Sequence, residues 1–170
     1  PMLNHIAEKH GTVYSLVNGD QPRNLLDLYS WGKVLGLEII AAGKASEYDF
    51  VWDPDTDEFT YMEGPEKPHE NIPGLKEVWH YEGRETLEGR RKLLEKYMAV
   101  ISADLCEMNL VSNVTGLVPS DRRLNYPIAK ISELADIFIL EEDGGILKKT
   151  GVVDVFCNLR APDEAGFAGG

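Results

Sequence analysis

Residues 13–49, VYSLVNGDQPRNLLDLYSWGKVLGLEIIAAGKASEYD, constrain the fold more than any other stretch, because they read as one complete strand–helix–strand unit. Val13, Tyr14, Leu16 and Val17 form a short β-prone run, and Asn18-Gly19-Asp20 ends it with residues that tolerate turn geometry. A helix is expected to start at once. Asp20 can accept hydrogen bonds from the free N–H groups of a first turn, and Pro22 suits an early helical position, where its missing donor costs nothing. Leu25, Leu28, Tyr29 and Leu35 then recur at helical spacing, with Leu26 and Val34 beside them, and predict a broad buried face. Gly36 ends the helix. Leu37, Ile39 and Ile40 predict a second strand that runs through Ala41-Ala42-Gly43 and meets Lys44 at its end.

A helix that crosses between two strands makes them parallel. The ends carrying Asn18-Gly19-Asp20-Gln21 and Gly43-Lys44 are therefore expected at one edge of the sheet, the edge where open α/β sheets take ligands. The helix N-terminus at that edge favours anions.

Further along, Phe50, Val51 and Trp52 lead into an acidic, proline-containing stretch, residues 53–74, that reads as a surface excursion: a solvated loop, a lid over the crevice or an arm to a neighbouring subunit. From Thr86 the pattern Leu94, Met98, Ile101, Leu105, Met108 predicts one long core helix reaching Ser112. Asp104 and Glu107 fall one turn apart on its partly apolar flank. Two carboxylates in that setting can serve as acid and base; alternatively they cap the helix or bridge to surface cations, the preferred reading for Asp104. Residues 118–125 read as a loop whose Arg122 and Arg123 either bind an anionic substrate or, the preferred reading, pair with surface acids, residues 127–137 as a short helix, and Val152, Val153, Val155 and Phe156 as a strand rejoining the core. At the amino end, residues 2–11 read as a helix tail that packs Ile6, leaves His5 and His10 solvated and closes at Gly11. Cys106 and Cys157 sit in apolar contexts and are expected to be buried thiols.

The run YSLVNGDQPRNLLDLYSWGKVLGLEIIAAGKASEYD, with Glu107-Met108, residues 113–117 and residues 145–155, resembles the central part of homoserine-dehydrogenase-like oxidoreductases that carry a C-terminal SAF domain, a group including enzymes similar to deoxyxylulose phosphate reductoisomerase. The resemblance implies the α/β substrate domain of a Rossmann-type oxidoreductase: a β-α-β unit, a long core helix and a returning strand. It implies NAD or NADP as cofactor, a small hydroxy or carbonyl compound as substrate, and a homo-oligomer. Asn18, Gly19, Asp20 and Gln21 would line the nicotinamide side of the crevice. Lys44 would orient and polarise the substrate oxygen, beside Glu47 and Tyr48 as substrate contacts, unless it is a surface lysine paired with Glu47. Glu107 matches a family glutamate. The chain departs from the family at residues 100–103, where Val-Ile-Ser-Ala stands in place of an Asp-Gly-x-Lys segment. That loss favours an alternative, a regulatory or oligomerisation module that has kept the scaffold without the chemistry.

The 170 residues, 43% of them hydrophobic, suffice for one ordinary core, so residues 1–170 are expected to form a single domain, with the family's nucleotide-binding and SAF domains lying outside it. No G-x-G-x-x-G is present, and Gly43-Lys44 lacks the other residues of a P-loop. A net charge of −12 argues against nucleic acid as a partner. No apolar run approaches the roughly 20 residues of a membrane span, so the cytoplasm is the default expectation, and no metal site is expected.

Overall fold

The computed structural model describes residues 2–12, 20–61, 70–98 and 102–164. The expected first strand at residues 13–17, together with Asn18 and Gly19, lies outside the described residues, as do Val100 and Ile101. The architecture is mixed α/β. Helix α1 (Met2–Lys9) precedes α2 (Gln21–Val34), which begins as expected: the Asp20 carboxylate accepts from Gln21 N at 2.8 Å, Pro22 lies in the first turn, and Gly36 leaves the helix at φ +78. Two apolar faces differ from expectation. Leu28, Val34 and Leu35 are exposed on α2 beside Trp31, and only Leu25, Leu26 and Tyr29 pack partly onto the core; on α1, Ala7 is buried and Ile6 is not.

Strand β1 (Ala41–Asp53) begins later and runs much further than the sequence suggests, because Phe50 and Trp52 continue the buried face and Val51–Asp53 pair antiparallel with β2 (Glu58–Thr60). Lys44 is therefore the fourth residue of a long strand rather than the residue at its end. The centre of the sheet is β5 (Val152–Arg160), which extends the expected returning strand and is buried along all but its last residue. It runs parallel to β1 on one side and, on the other, to β3 (Val118–Pro119) and then β4 (Ile128–Ala129). The β1 and β5 backbones approach so closely at Gly43 that a Cβ there would stand 2.3 Å from the Asp154 carbonyl oxygen, which only glycine avoids.

The two sheet faces follow from strand alternation. Val153, Val155, Cys157 and Leu159 meet Phe50 and Trp52 in the main core, under α3 (Arg84–Leu94) and α4 (Ser102–Thr115); Ala45 and Phe156 face a smaller core with Ala129 and with Ile137 of α5 (Leu134–Ile137). Each large side chain so buried contributes about 1.5–3 kcal/mol.

The expected long helix is two helices. After α3 the chain tightens into a 3₁₀ turn at Glu95–Tyr97, and Met98 is extended. Tyr97 anchors the break: its ring packs 5.3 Å from Phe59 and 4.4 Å from Tyr61, and its hydroxyl donates to Glu70. The break resets the helical phase, so α4 buries Asp104, Met108 and Val111 while Leu105 and Cys106 are exposed, contrary to expectation for both. Cys157 is buried as expected, and burial pushes its thiol up to about 12. The expected helix over 127–137 is instead β4, a 3₁₀ turn at Ile131–Glu133 and the single turn of α5. Within 53–74, residues 53–61 form the β1–β2 hairpin, and Glu70 bridges back to Phe59. Among the described residues no helix is long and apolar enough to cross a membrane.

Candidate functional site

The site is built where β1 passes over α4. Lys44 pairs in register with Val155, and its ammonium lies 2.8 Å from Asp104 Oδ1 and in contact with Glu107 Oε2. The i, i+3 spacing puts both acids on the same flank of α4, so one lysine reaches both. The three side chains are 8%, 0% and 19% exposed, which leaves Glu107 as the solvent-facing member. The preferred expectation for Asp104, a surface carboxylate, is overturned: the broken helix turns it fully inward.

Burial opposes a charged Lys44, yet the two carboxylates more than offset it and hold the ammonium above its ordinary value. Lys44 is therefore a cation at neutral pH, suited to polarise an oxygen or deliver a proton rather than to remove one. Its contacts are ion pairs lacking hydrogen-bond alignment, for neither Asp104 Oδ1 nor Glu107 Oε2 receives an aligned donor. Of three ammonium N–H groups, two face these carboxylates and the third has no partner among the described residues.

Around this centre the loop between β3 and β4 is held in an unusual shape. Leu124 and Tyr126 have φ of +62 and +48, a region costly to bulky residues by roughly 1–3 kcal/mol each. Three sets of bonds hold it there. The Tyr126 hydroxyl donates to Asp104 Oδ2 at 3.2 Å. Asn125 donates from its backbone N to Asp154 Oδ1 at 2.8 Å and from Nδ2 to Oδ2 at 2.7 Å. Arg91 Nη2 donates to the carbonyls of Asn125 at 2.5 Å and Tyr126 at 3.1 Å. Asp154 also accepts from Ser120 Oγ at 2.6 Å and Val155 N at 2.8 Å; burial raises its carboxyl against these bonds, which favour the ionised form.

A cavity of about 410 Å³ opens against the start of β1 on the α5 face of the sheet, lined among others by Ala41, Gly43, Phe138, Asp154 and Phe156; Lys44 borders it from β1, while Asp104 and Glu107 lie on the opposite, α4 face. It is of small-ligand size, within the usual range of about 300–1,000 Å³.

The remaining candidates scatter. Residues 46–48 form a bulge, the register passing from Ala45 opposite Phe156 to Asp49 opposite Asn158. There Glu47 is exposed and Tyr48 stacks on Phe50 at 6.1 Å, so neither joins the Lys44 group. Lys44 is not the surface partner of Glu47. Asp20 is engaged as the cap of α2, while Gln21 carries a buried Oε1 with no hydrogen-bond partner among the described residues. Tyr126 and Asp154 escaped sequence reasoning. An aspartate inside the apolar run VVDVF was a usable sign of a satisfied buried carboxylate; Tyr126 gave no signal, since its position depends on two positive-φ residues.

Comparison with known families adds one finding: residues 19–168 match the model of the catalytic domain of oxidoreductase DRL. The chain belongs to this family. A search of curated proteins found no match. The DRL catalytic-domain match takes in Lys44, Asp104, Glu107, Tyr126 and Asp154, so the whole constellation lies in an oxidoreductase catalytic domain.

Proposed function

We propose that this chain is the central catalytic domain of an NAD(P)-dependent oxidoreductase similar to homoserine dehydrogenase, moving hydride to or from a small hydroxy or carbonyl substrate. The observation that carries this reading is the buried Lys44 ammonium seated between Asp104 and Glu107. In the reducing direction Lys44 donates its third N–H to the carbonyl oxygen, stabilises the charge that grows there and passes a proton to it. Asp104, dry and fixed, keeps the ammonium in place. Glu107, partly exposed, links Lys44 to solvent protons.

A nicotinamide cofactor would supply the hydride. Of the expected nicotinamide contacts, Asp20 is spent on its helix and Gln21 keeps capacity: its Oε1, without a partner among the described residues, suits the N–H of a carboxamide. The alternative, a scaffold without chemistry, rested on the missing Asp-Gly-x-Lys. The cluster weakens it, because Lys44 and Asp104 bring a lysine and an aspartate together from two distant parts of the chain.

The reading includes a single domain over residues 1–170, accompanied in the parent protein by nucleotide-binding and SAF domains, a homo-oligomeric state and a cytoplasmic setting. Calorimetry of NAD and NADP binding to the intact protein and to Lys44→Ala, with a panel of hydroxy and carbonyl compounds, tests it. Cofactor binding together with a compound whose binding needs Lys44 is the expected result. If neither cofactor binds the intact protein, the enzyme reading fails.

A further inference from the structure

We infer that Tyr126 is a positioning residue, whose hydroxyl fixes the Asp104 carboxylate and through it the place of the Lys44 ammonium. This rests on the role proposed above for Lys44. The hydroxyl is the one aligned donor to Asp104 among the described residues: it takes Oδ2, leaving Oδ1 to face Lys44. Asp104 is completely buried and Tyr126 is 4% exposed, so water does not substitute for the hydroxyl.

The loop is shaped to deliver this contact. Leu124 and Tyr126 both adopt positive φ although neither is glycine, asparagine or aspartate, and such strain persists only where surrounding bonds over-determine it. Those bonds come from elements on both sides of the loop: Arg91 of α3 holds the carbonyls of Asn125 and Tyr126, and Asp154 of β5 holds the Asn125 amide and side chain. A tyrosine that merely filled space would need neither the strain nor the clamps. The arrangement holds the hydroxyl against a carboxylate that belongs to an ion pair with contact but no alignment of its own.

The charged and titratable groups facing the pair are Asp104 and Glu107 from α4, Tyr126 from the loop, Asp154 and Cys157 from β5 and Arg91 from α3. The test is the pH-dependent acylation of Lys44 by an amine-reactive acetylating agent, read by peptide mass spectrometry in the intact protein, with exposed Lys33 as internal reference. In Tyr126→Phe, which keeps the ring, Asp104 is free to turn away and Lys44 should acylate at least about threefold faster than in wild type near pH 9, equivalent to a pKa lower by about 0.5. Lys33 should be unchanged. Arg91→Ala, at an exposed position, loosens the loop and should move Lys44 in the same direction, and it decides the matter if Tyr126→Phe does not fold. Unchanged Lys44 reactivity in a folded variant overturns the proposal and leaves the hydroxyl as a mere filler of Asp104's hydrogen-bonding capacity. The readout needs no turnover, so it stands or falls apart from cofactor binding: a protein that binds no nicotinamide nucleotide sinks the enzyme reading and leaves the positioning result intact.

Discussion

Two buried ion pairs among the described residues are built to opposite specifications. Arg90 is completely buried and uses all five of its N–H donors: Nε to the Val78 carbonyl, Nη1 to the Ile128 carbonyl and Glu133, Nη2 to the Trp79 carbonyl and Glu133. Glu133 in turn receives the backbone N–H of Lys130. Nothing is left over, and Arg90 acts as a pin joining α3, the 76–79 turn and the start of β4. Lys44 is nearly as buried, yet among the described residues it meets two carboxylates without alignment and has a third donor without a partner. Saturation marks the structural ion; spare capacity marks the chemical one.

The largest effect should come from the saturated pair. Arg90→Met leaves Glu133 as an uncompensated buried charge and strips three carbonyls of their donor, a loss of about 3–5 kcal/mol. Urea unfolding would read it. Should Arg90→Met unfold like wild type and instead lose ligand binding, the two pairs do not differ in the way their hydrogen bonding implies.

Lys44→Met also strands a buried carboxylate, but Asp104 keeps its bond from Tyr126, Glu107 turns to water and no carbonyl loses its donor, so the cost should sit at the low end of that range, about 3 kcal/mol. The same variant should abolish hydride transfer in the intact protein while leaving the circular-dichroism spectrum unchanged. A variant that unfolds as readily as Arg90→Met would make Lys44 a second structural pin.

Much of this contrast was legible in the sequence, and the illegible part has a definite cause. The cap at Asp20, the stop at Gly36 and the apolar strand around Val152 are local patterns, and local patterns survived folding. Lys44 and the acid pair one turn apart could be picked out by residue type and spacing. Their meeting could not, because it depends on a helix break at 95–98 held by Tyr97 against Phe59 and Tyr61, aromatic rings from a hairpin that is distant in sequence. An unbroken helix keeps Leu105 and Met108 on one buried row; the actual phase keeps Met108 buried and puts Asp104 inside in place of Leu105. The exposure of Leu28 and Leu35 on α2 was hidden for a related reason, since periodicity defines an apolar face without saying which part of it the core covers.

A pH series sharpens the comparison further. The folded value for Lys44 lies above its ordinary 10.5. A raised cation pKa stabilises the fold fully below the unfolded value and loses that contribution as pH climbs through the folded one, and each pH unit separating the two values is equivalent to about 1.4 kcal/mol. Wild type should therefore lose urea resistance above pH 10.5 more steeply than Lys44→Met. The buried Tyr97, whose hydroxyl is also raised and which lies outside the Lys44 cluster, weakens the fold in the same direction in both proteins and so cancels from the difference. Parallel curves for the two proteins would mean that Lys44 is not held charged by its neighbours.

The smallest effect belongs to an ion pair of a third kind. Arg23 and Asp27 stand one turn apart on α2 with Nε 3.0 Å from Oδ2, and both side chains are more than half exposed. Water already solvates each charge, so bringing them together gains little, and Asp27→Ala should change stability by less than about 0.5 kcal/mol. Salt separates the three pairs without any mutation. At 1 M ionic strength the screening length falls to about 3 Å, which erases what the exposed pair contributes but barely reaches charges from which ions and water are excluded. The difference between wild type and Asp27→Ala should vanish in high salt, while the losses in Lys44→Met and Arg90→Met persist. Glu107 is the hinge of that test: as the solvent-facing partner of Lys44 it is the member through which salt would act, so a partial salt sensitivity of Lys44→Met, absent from Arg90→Met, would place the Lys44 cluster at the boundary between core and solvent, as the proposed proton-donating role requires.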